Sequence, residues 1–170
     1  PEVPGVRWVT ARPFHLTLAF LGDVADTDLN AVCRGVAEAA AGFAPFELRL
    51  EGLGVFPDPT RPRTFWVGIT GPGLDTLAAL QKKIARAVAD AGYPPDDNKF
   101  HPHVTLGRLK PGRGPAPDVG PLLRHYRGWS AGSFRVAEAA TYASTLSPDG
   151  PLYAPLGTAP LGGRNDELKT

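Results

Sequence analysis

The chain contains no methionine and only one cysteine, Cys33, so neither an intrachain disulfide nor a cysteine-based zinc cluster can be built from it. Cys33 falls in a helical pattern and reads as a small core residue, the usual setting of a free cysteine. Without methionine, the initiating residue and whatever preceded Pro1 are expected to be missing. Long apolar runs are absent too: no stretch approaches the ~20 residues that cross a bilayer. Pro1 to Arg7 lacks the apolar centre of a signal peptide, so a cytoplasmic protein without membrane association is expected. Nor does charge of one sign dominate. With 18 Lys and Arg against 17 Asp and Glu, the net charge of +1 excludes a broad electrostatic grip on duplex DNA, and any nucleic-acid contact must be local.

What the chain has in quantity is glycine (20) and proline (19), scattered between apolar runs. They predict many short elements joined by tight turns, a β-rich mixed fold. A length of 170 residues with 42% hydrophobic content suits one compact domain over residues 1–170, either a single core or two small lobes sharing a groove.

Phe14 to Leu21 alternates His15, Thr17 and Ala19 with Leu16, Leu18 and Phe20 and predicts a strand with one polar face. Thr27 resembles an N-cap for a helix running to Ala41, with Gly42 as its stop. Phe46 to Gly54 and Thr64 to Thr70 alternate about a Pro-rich turn at Pro57 to Pro62 and predict a hairpin. Leu74 to Ala91 is the clearest helix, with Leu77, Leu80, Ile84, Ala87 and Val88 on one face and Gly92 and Pro94 closing it. His103 to Leu109 predicts a second polar-faced strand, followed by a Pro- and Gly-rich loop from Pro111 to Pro121 and a helical turn up to Tyr126. Ser133 to Leu146 predicts one or two strands and Leu152 to Leu156 a last one, before a polar tail from Gly162. Each half thus has a polar-faced strand, a helical segment and extended segments, the pattern of an internal duplication.

The two polar-faced strands carry the chemistry. His15-Leu16-Thr17-Leu18 and His103-Val104-Thr105-Leu106 share one plan, and their histidines lie 88 positions apart (103 minus 15). Residues two apart on a strand face the same way, so each segment offers an imidazole and a hydroxyl to one surface. Two histidines can hold opposite protonation states near neutral pH and serve as acid and base together. A hydroxyl beside each can donate to a non-bridging phosphate oxygen. In-line displacement at phosphorus needs this set: a proton removed from the entering oxygen and one delivered to the leaving oxygen.

These motifs resemble the 2H phosphoesterases, named for two histidines in repeated His-x-Thr-x motifs. His15 to Gly22 (HLTLAFLG), Gly52 to Pro57 (GLGVFP), Phe65 to Gly68 (FWVG), Phe100 to Arg108 (FHPHVTLGR) and Ser144 to Tyr153 are similar to the bacterial RNA 2′,3′-cyclic phosphodiesterases, historically called 2′-5′ RNA ligases. The resemblance spans Trp8 to about Leu156 and implies an α+β, bilobal duplicated fold, with two antiparallel sheets about a central groove and helices outside. It implies hydrolysis of RNA 2′,3′-cyclic phosphate ends to 2′-phosphate without metal or other cofactor, with 2′-5′ joining as the reverse reaction. His15 would protonate the leaving 3′ oxygen, His103 would activate water, and Thr17, Thr105 and Arg108 would hold the phosphate. The implied partner is RNA with a cyclic phosphate end, tRNA fragments included, and the enzyme is expected to be a monomer. Two departures stand out. Family members begin with a further strand and a short helix before the first motif, so one sheet is expected to be incomplete. Strict alternation also puts Arg108 on the face opposite His103 and Thr105, unless a bulge at Gly107, or the strand's end, turns it inward.

Around these motifs, Phe56 reads either as a stacking surface for a terminal base or as hairpin packing. Arg61 and Arg63 read as phosphate contacts or as a charged turn rim. His101 shares a face with His103 only if the strand begins early, which Pro102 opposes. Lys99, Lys110 and Arg113 would extend a basic edge, His125 reads as solvated, and Trp8, Trp66 and Trp129 as packing. Two rival readings are a metal-dependent hydrolase using His15, His101 and His103, and a non-catalytic module that binds RNA ends or nucleotides.

Overall fold

The structure is a computed structural model that describes residues 3–9, 14–96, 99–110, 115–147 and 150–162. In chain order it contains β1 (Val6–Trp8), a 3-10 turn (Asp26–Asp28), α1 (Leu29–Ala41), β2 (Phe46–Phe56), β3 (Thr64–Thr70) and α2 (Leu74–Asp90). Then follow β4 (His103–Leu109), α3 (Gly120–His125), β5 (Ser130–Val136), β6 (Glu138–Ser147) and β7 (Gly150–Pro160). The fold is α+β with two antiparallel sheets, one of five strands in the order β1-β4-β3-β2-β5 and one formed by β6 and β7.

The chain divides into two compact units, each assembled from three segments. One comprises Leu18–Glu47, Asp75–Phe100 and Arg135–Thr170. Here the 3.6-residue period of both helices closes a core: Val32, Val36, Ala39 and Ala40 of α1 pack with Leu80, Ile84 and Val88 of α2 and with Ala139, Ala159 and Leu161. Cys33 is half-buried on α1, where a Cβ on Gly157 would meet its sulfur at 3.3 Å. α2 ends as its sequence predicts. Gly92 takes φ +96°, the Gly92 N–H donates to the Ala89 carbonyl, and the Tyr93 N–H donates to that of Val88.

The start of α1 departs from expectation. Thr27 lies in the 3-10 turn, and its hydroxyl donates to Asp28 rather than capping the helix. Asp28 holds the N-cap position without a capping bond, because its carboxylate accepts the Tyr93 hydroxyl at 2.6 Å. That bond to Asp28 holds the Tyr93 hydroxyl above its ordinary pKa of 10.0.

The other unit comprises Pro1–Thr17, Leu48–Leu74 and His101–Phe134. One face of its sheet is apolar. Val55 and fully buried Phe65 form a core with Val119 and Leu122, lined by Val6, Leu53, Leu109 and Tyr126. The expected hairpin is present, with β2 extending to Phe56 and a bulge at Gly52, which sits at φ +71°.

The expected strand over residues 14–21 is reduced to one antiparallel bridge, Leu16 to Val104. Pro102, with no N–H to offer, stops β4 at His103, so little ladder remains for this segment to join. β1, absent from the sequence reading, is three residues long, too short for alternation to reveal. Arg113, the first part of the Pro- and Gly-rich loop and the tail beyond Gly162 lie outside the described residues.

Candidate active site

Alternation assigns the two faces of the five-stranded sheet. Phe65, Val67 and Val104 are buried, and Trp8 packs edge-on against Phe65 at 5.5 Å, all on the apolar face. The residues between them point the opposite way. Cross-strand partners share a face, so the register reads out that polar face: Gly68 opposite His103, Trp66 opposite Thr105, Thr64 opposite Arg108, and Phe56 opposite Thr64.

That register resolves the position of Arg108. Phe65 pairs with Gly107 but Trp66 with Thr105, so β4 carries one extra residue at Leu106. The bulge reverses the alternation, and Arg108, exposed, stands on the face of Thr105 and His103.

The Leu16 to Val104 bridge sets the first motif against the second. In antiparallel register, the neighbours of that pair place His15 across from Thr105 and Thr17 across from His103. Val104 is buried on the apolar face, so these four positions belong to the polar one. His15 is exposed, and Thr17, Thr105 and His103 are half-buried.

His103 is held from two directions. Its Nδ1 lies 2.7 Å from the backbone carbonyl of His101. A carbonyl only accepts, so Nδ1 carries the proton, and in the neutral ring Nε2 keeps its lone pair for a substrate. The ring also stands edge-on to Phe56 at 5.0 Å. Phe56 contacts Trp66 at 5.1 Å and His101 at 5.4 Å, and His101 meets Trp66 at 4.8 Å, so four rings form the floor beside the motif. Two glycines leave room for the indole. A Cβ on Gly54 would lie 2.1 Å from Trp66 carbons, and one on Gly68 would meet the Glu51 carbonyl at 2.8 Å and the indole at 3.6 Å.

The other sequence candidates lie further off. Arg61 sits in the hairpin turn, 79% exposed, with its guanidinium 3.7 Å from Asp58. Arg63 continues the β3 register opposite Leu109, on the apolar side of the ladder, and is exposed. His125 is exposed and edge-on to Tyr126. All three tryptophans pack against a ring, Trp66 against Phe56, Trp8 against Phe65 and Trp129 against Tyr126, although Trp8 and Trp129 remain 36% and 41% exposed. Among the described residues, no three His, Cys, Asp or Glu side chains converge as a metal would require.

Two contributors escape the sequence reading. The His101 carbonyl has no sequence signal. Arg7, whose register partner is Arg108, does have one: it is the polar residue between Val6 and Trp8.

Known proteins resemble this chain in sequence and fold. The family profile described as the 2′-5′ RNA ligase superfamily matches residues 3–145. A protein of Aquifex aeolicus named RNA 2′,3′-cyclic phosphodiesterase is 37% identical over 158 residues, covering 92% of this chain and 82% of the relative. A protein of the same name from Aeropyrum pernix is 37% identical over 151 residues, covering 89% and 84%. Among solved structures, a protein from Thermus thermophilus superposes with a TM-score of 0.75 at 29% identity, covering 94% of this chain and 84% of the neighbour. E. coli LigT in complex with 3′-AMP superposes with a TM-score of 0.70 at 29% identity, covering 92% and 82%. With the profile spanning most of the chain and relatives matched over most of their length, this protein belongs to the 2′-5′ RNA ligase superfamily.

Proposed function

We propose that this protein hydrolyses the 2′,3′-cyclic phosphate at the end of an RNA to a 2′-phosphate, using His103 as base and His15 as acid and needing no metal. The observation that carries the reading is the single bridge at Leu16 and Val104, which sets each imidazole position across from the other motif's hydroxyl. The name shared by the Aquifex and Aeropyrum relatives, and the nucleoside 3′-phosphate bound by E. coli LigT, support the same substrate class.

In this mechanism Nε2 of His103 takes a proton from water as it attacks phosphorus in line with the 3′ oxygen. His15 delivers a proton to that oxygen as the P–O3′ bond breaks. Thr17 and Thr105 donate to the non-bridging oxygens, and the Arg108 guanidinium offsets the charge that grows on them. The water proton ends on His103, the His15 proton on the 3′ hydroxyl, and the phosphate stays on O2′. Phe56, within the ring floor, offers an apolar flank for the terminal base. With an RNA 5′ hydroxyl entering in place of water, the same displacement joins ends through a 2′-5′ bond: P–O5′ forms as P–O3′ breaks, and the reverse of that step returns the cyclic phosphate.

The test is incubation of the purified protein with an oligonucleotide ending in a 2′,3′-cyclic phosphate, before and after exhaustive chelation, with the product read by phosphorus NMR. A 2′-phosphate formed at the same rate in both samples is expected. A 3′-phosphate, or activity lost to the chelator, would overturn the mechanism, and binding without turnover would make the protein an RNA-end binder.

A further inference from the structure

We infer that Arg7 forms a second phosphate subsite, which takes the internucleotide phosphate on the 5′ side of the terminal nucleotide and makes an oligonucleotide, rather than a cyclic mononucleotide, the preferred substrate. The inference rests on the proposed function, since it names the substrate class of the same site.

β1 and the first motif lie along one edge of β4. Val6, Arg7 and Trp8 pair with Leu109, Arg108 and Gly107, and Leu16 pairs with Val104. Val6 packs into the apolar core and Trp8 against Phe65, which leaves Arg7 on the polar face with Arg108. Three cross-strand rows follow one another along that face: Thr17 with His103, His15 with Thr105, and Arg7 with Arg108. The first two supply imidazoles and hydroxyls. The third supplies two guanidiniums, both on exposed residues.

Two guanidiniums on one cross-strand row present a pair of planar donor forks on the same face, a geometry suited to phosphate oxygens. The outer hydrogen bonds of β1, from the Val9 N–H to Leu106 and from the Lys110 N–H to Gly5, make Arg7 and Arg108 a hydrogen-bonded pair, with Cα atoms about 5.5 Å apart. Once the extra residue at the bulge is discounted, the arginine row stands two strand positions, about 7 Å, from the Thr105 row. That is the order of one ribose between successive phosphates on an extended strand. Arg108 can therefore reach the reacting phosphate while Arg7, one strand further out, meets the next one.

The test compares the wild type with Arg7→Gln and Arg7→Lys on two substrates, a 2′,3′-cyclic mononucleotide and a trinucleotide ending in a 2′,3′-cyclic phosphate. Arg86→Gln, on the exposed face of α2, is the control. The ratio of kcat/KM for trinucleotide over mononucleotide should fall about tenfold in Arg7→Gln and recover in part in Arg7→Lys, which keeps the charge but loses the fork. Arg86→Gln should leave the ratio unchanged. The binding of a labelled trinucleotide ending in 2′-phosphate should also lose about one unit of its salt slope in Arg7→Gln. Equal losses on both substrates, or an unchanged salt slope, would overturn the subsite. If the wild type hydrolyses neither substrate, the hydrolytic reading fails, and the salt slope alone still decides Arg7.

Discussion

Gly54→Ala probes how far the floor of the site depends on the indole of Trp66. Gly54 is buried and lies outside the left-handed region, so the backbone accepts alanine and the effect is steric. The new Cβ would stand 2.1 Å from Trp66 Cζ2 and Cη2, and the ring must retreat at least 1.3 Å (3.4 minus 2.1) to reach ordinary contact. It cannot do so alone, because Phe56 at 5.1 Å and His101 at 4.8 Å rest on it, and Phe56 touches His103. Overpacking costs about 1–3 kcal/mol, against which removing a glycine from a strand returns roughly 0.5–1 kcal/mol. A net loss of about 1–2 kcal/mol is expected in urea unfolding followed by circular dichroism.

In a Trp66→Leu background the clash is gone, and since the buried Trp66 Nε1 has no hydrogen-bond partner among the described residues, that change strands nothing. Gly54→Ala should then be neutral or slightly stabilising, which gives a coupling of about 2 kcal/mol. Equal costs in both backgrounds would refute the reasoning. Turnover of a cyclic phosphate should fall with Gly54→Ala and not recover in the double variant, because the floor is lost in both.

Three further expectations follow from the same structure. His15→Ala and His103→Ala should each lower kcat by about 10²- to 10⁴-fold with KM little changed, as steady-state kinetics on a cyclic phosphate would show. Phe65→Ala, at a fully buried position, should cost about 3–5 kcal/mol in denaturant unfolding. Asp58 accepts the Thr60 hydroxyl first of all, then the Thr60 and Arg61 N–H groups, and its carboxyl is held below its ordinary value of 3.8. A depressed carboxyl contributes stability above that value and loses it as pH falls through the lowered one. The Tm gap between wild type and Asp58→Ala should therefore be present at neutral pH and close in acid; a gap that persists in strong acid would contradict it.

Periodicity revealed most of the elements. The helices at Leu29–Ala41 and Leu74–Asp90 and the hairpin of β2 and β3 carry their buried faces in their spacing. The paired motifs were legible because imidazole and hydroxyl recur two residues apart, a period-2 signal. What escaped depended on partners distant in sequence. β1 is a strand only because β4 lies beside it, and the Asp28 carboxylate at the start of α1 is taken by Tyr93, 65 positions away (93 minus 28). The turn of Arg108 to the polar face came from counting residues across two strands, which no single strand's alternation contains.

An antiparallel pair of strands has a dyad through its centre, and the crossing of Leu16 with Val104 puts that dyad in the middle of the two motifs. On the mechanism proposed, the dyad treats the two imidazoles as equivalent, so the motifs alone name neither as donor nor acceptor. The choice falls to whatever breaks the equivalence. At His103 the carbonyl just before Pro102 pins one nitrogen and leaves the other for the substrate, so the chain leading into the second motif sets which nitrogen of that imidazole faces the phosphate.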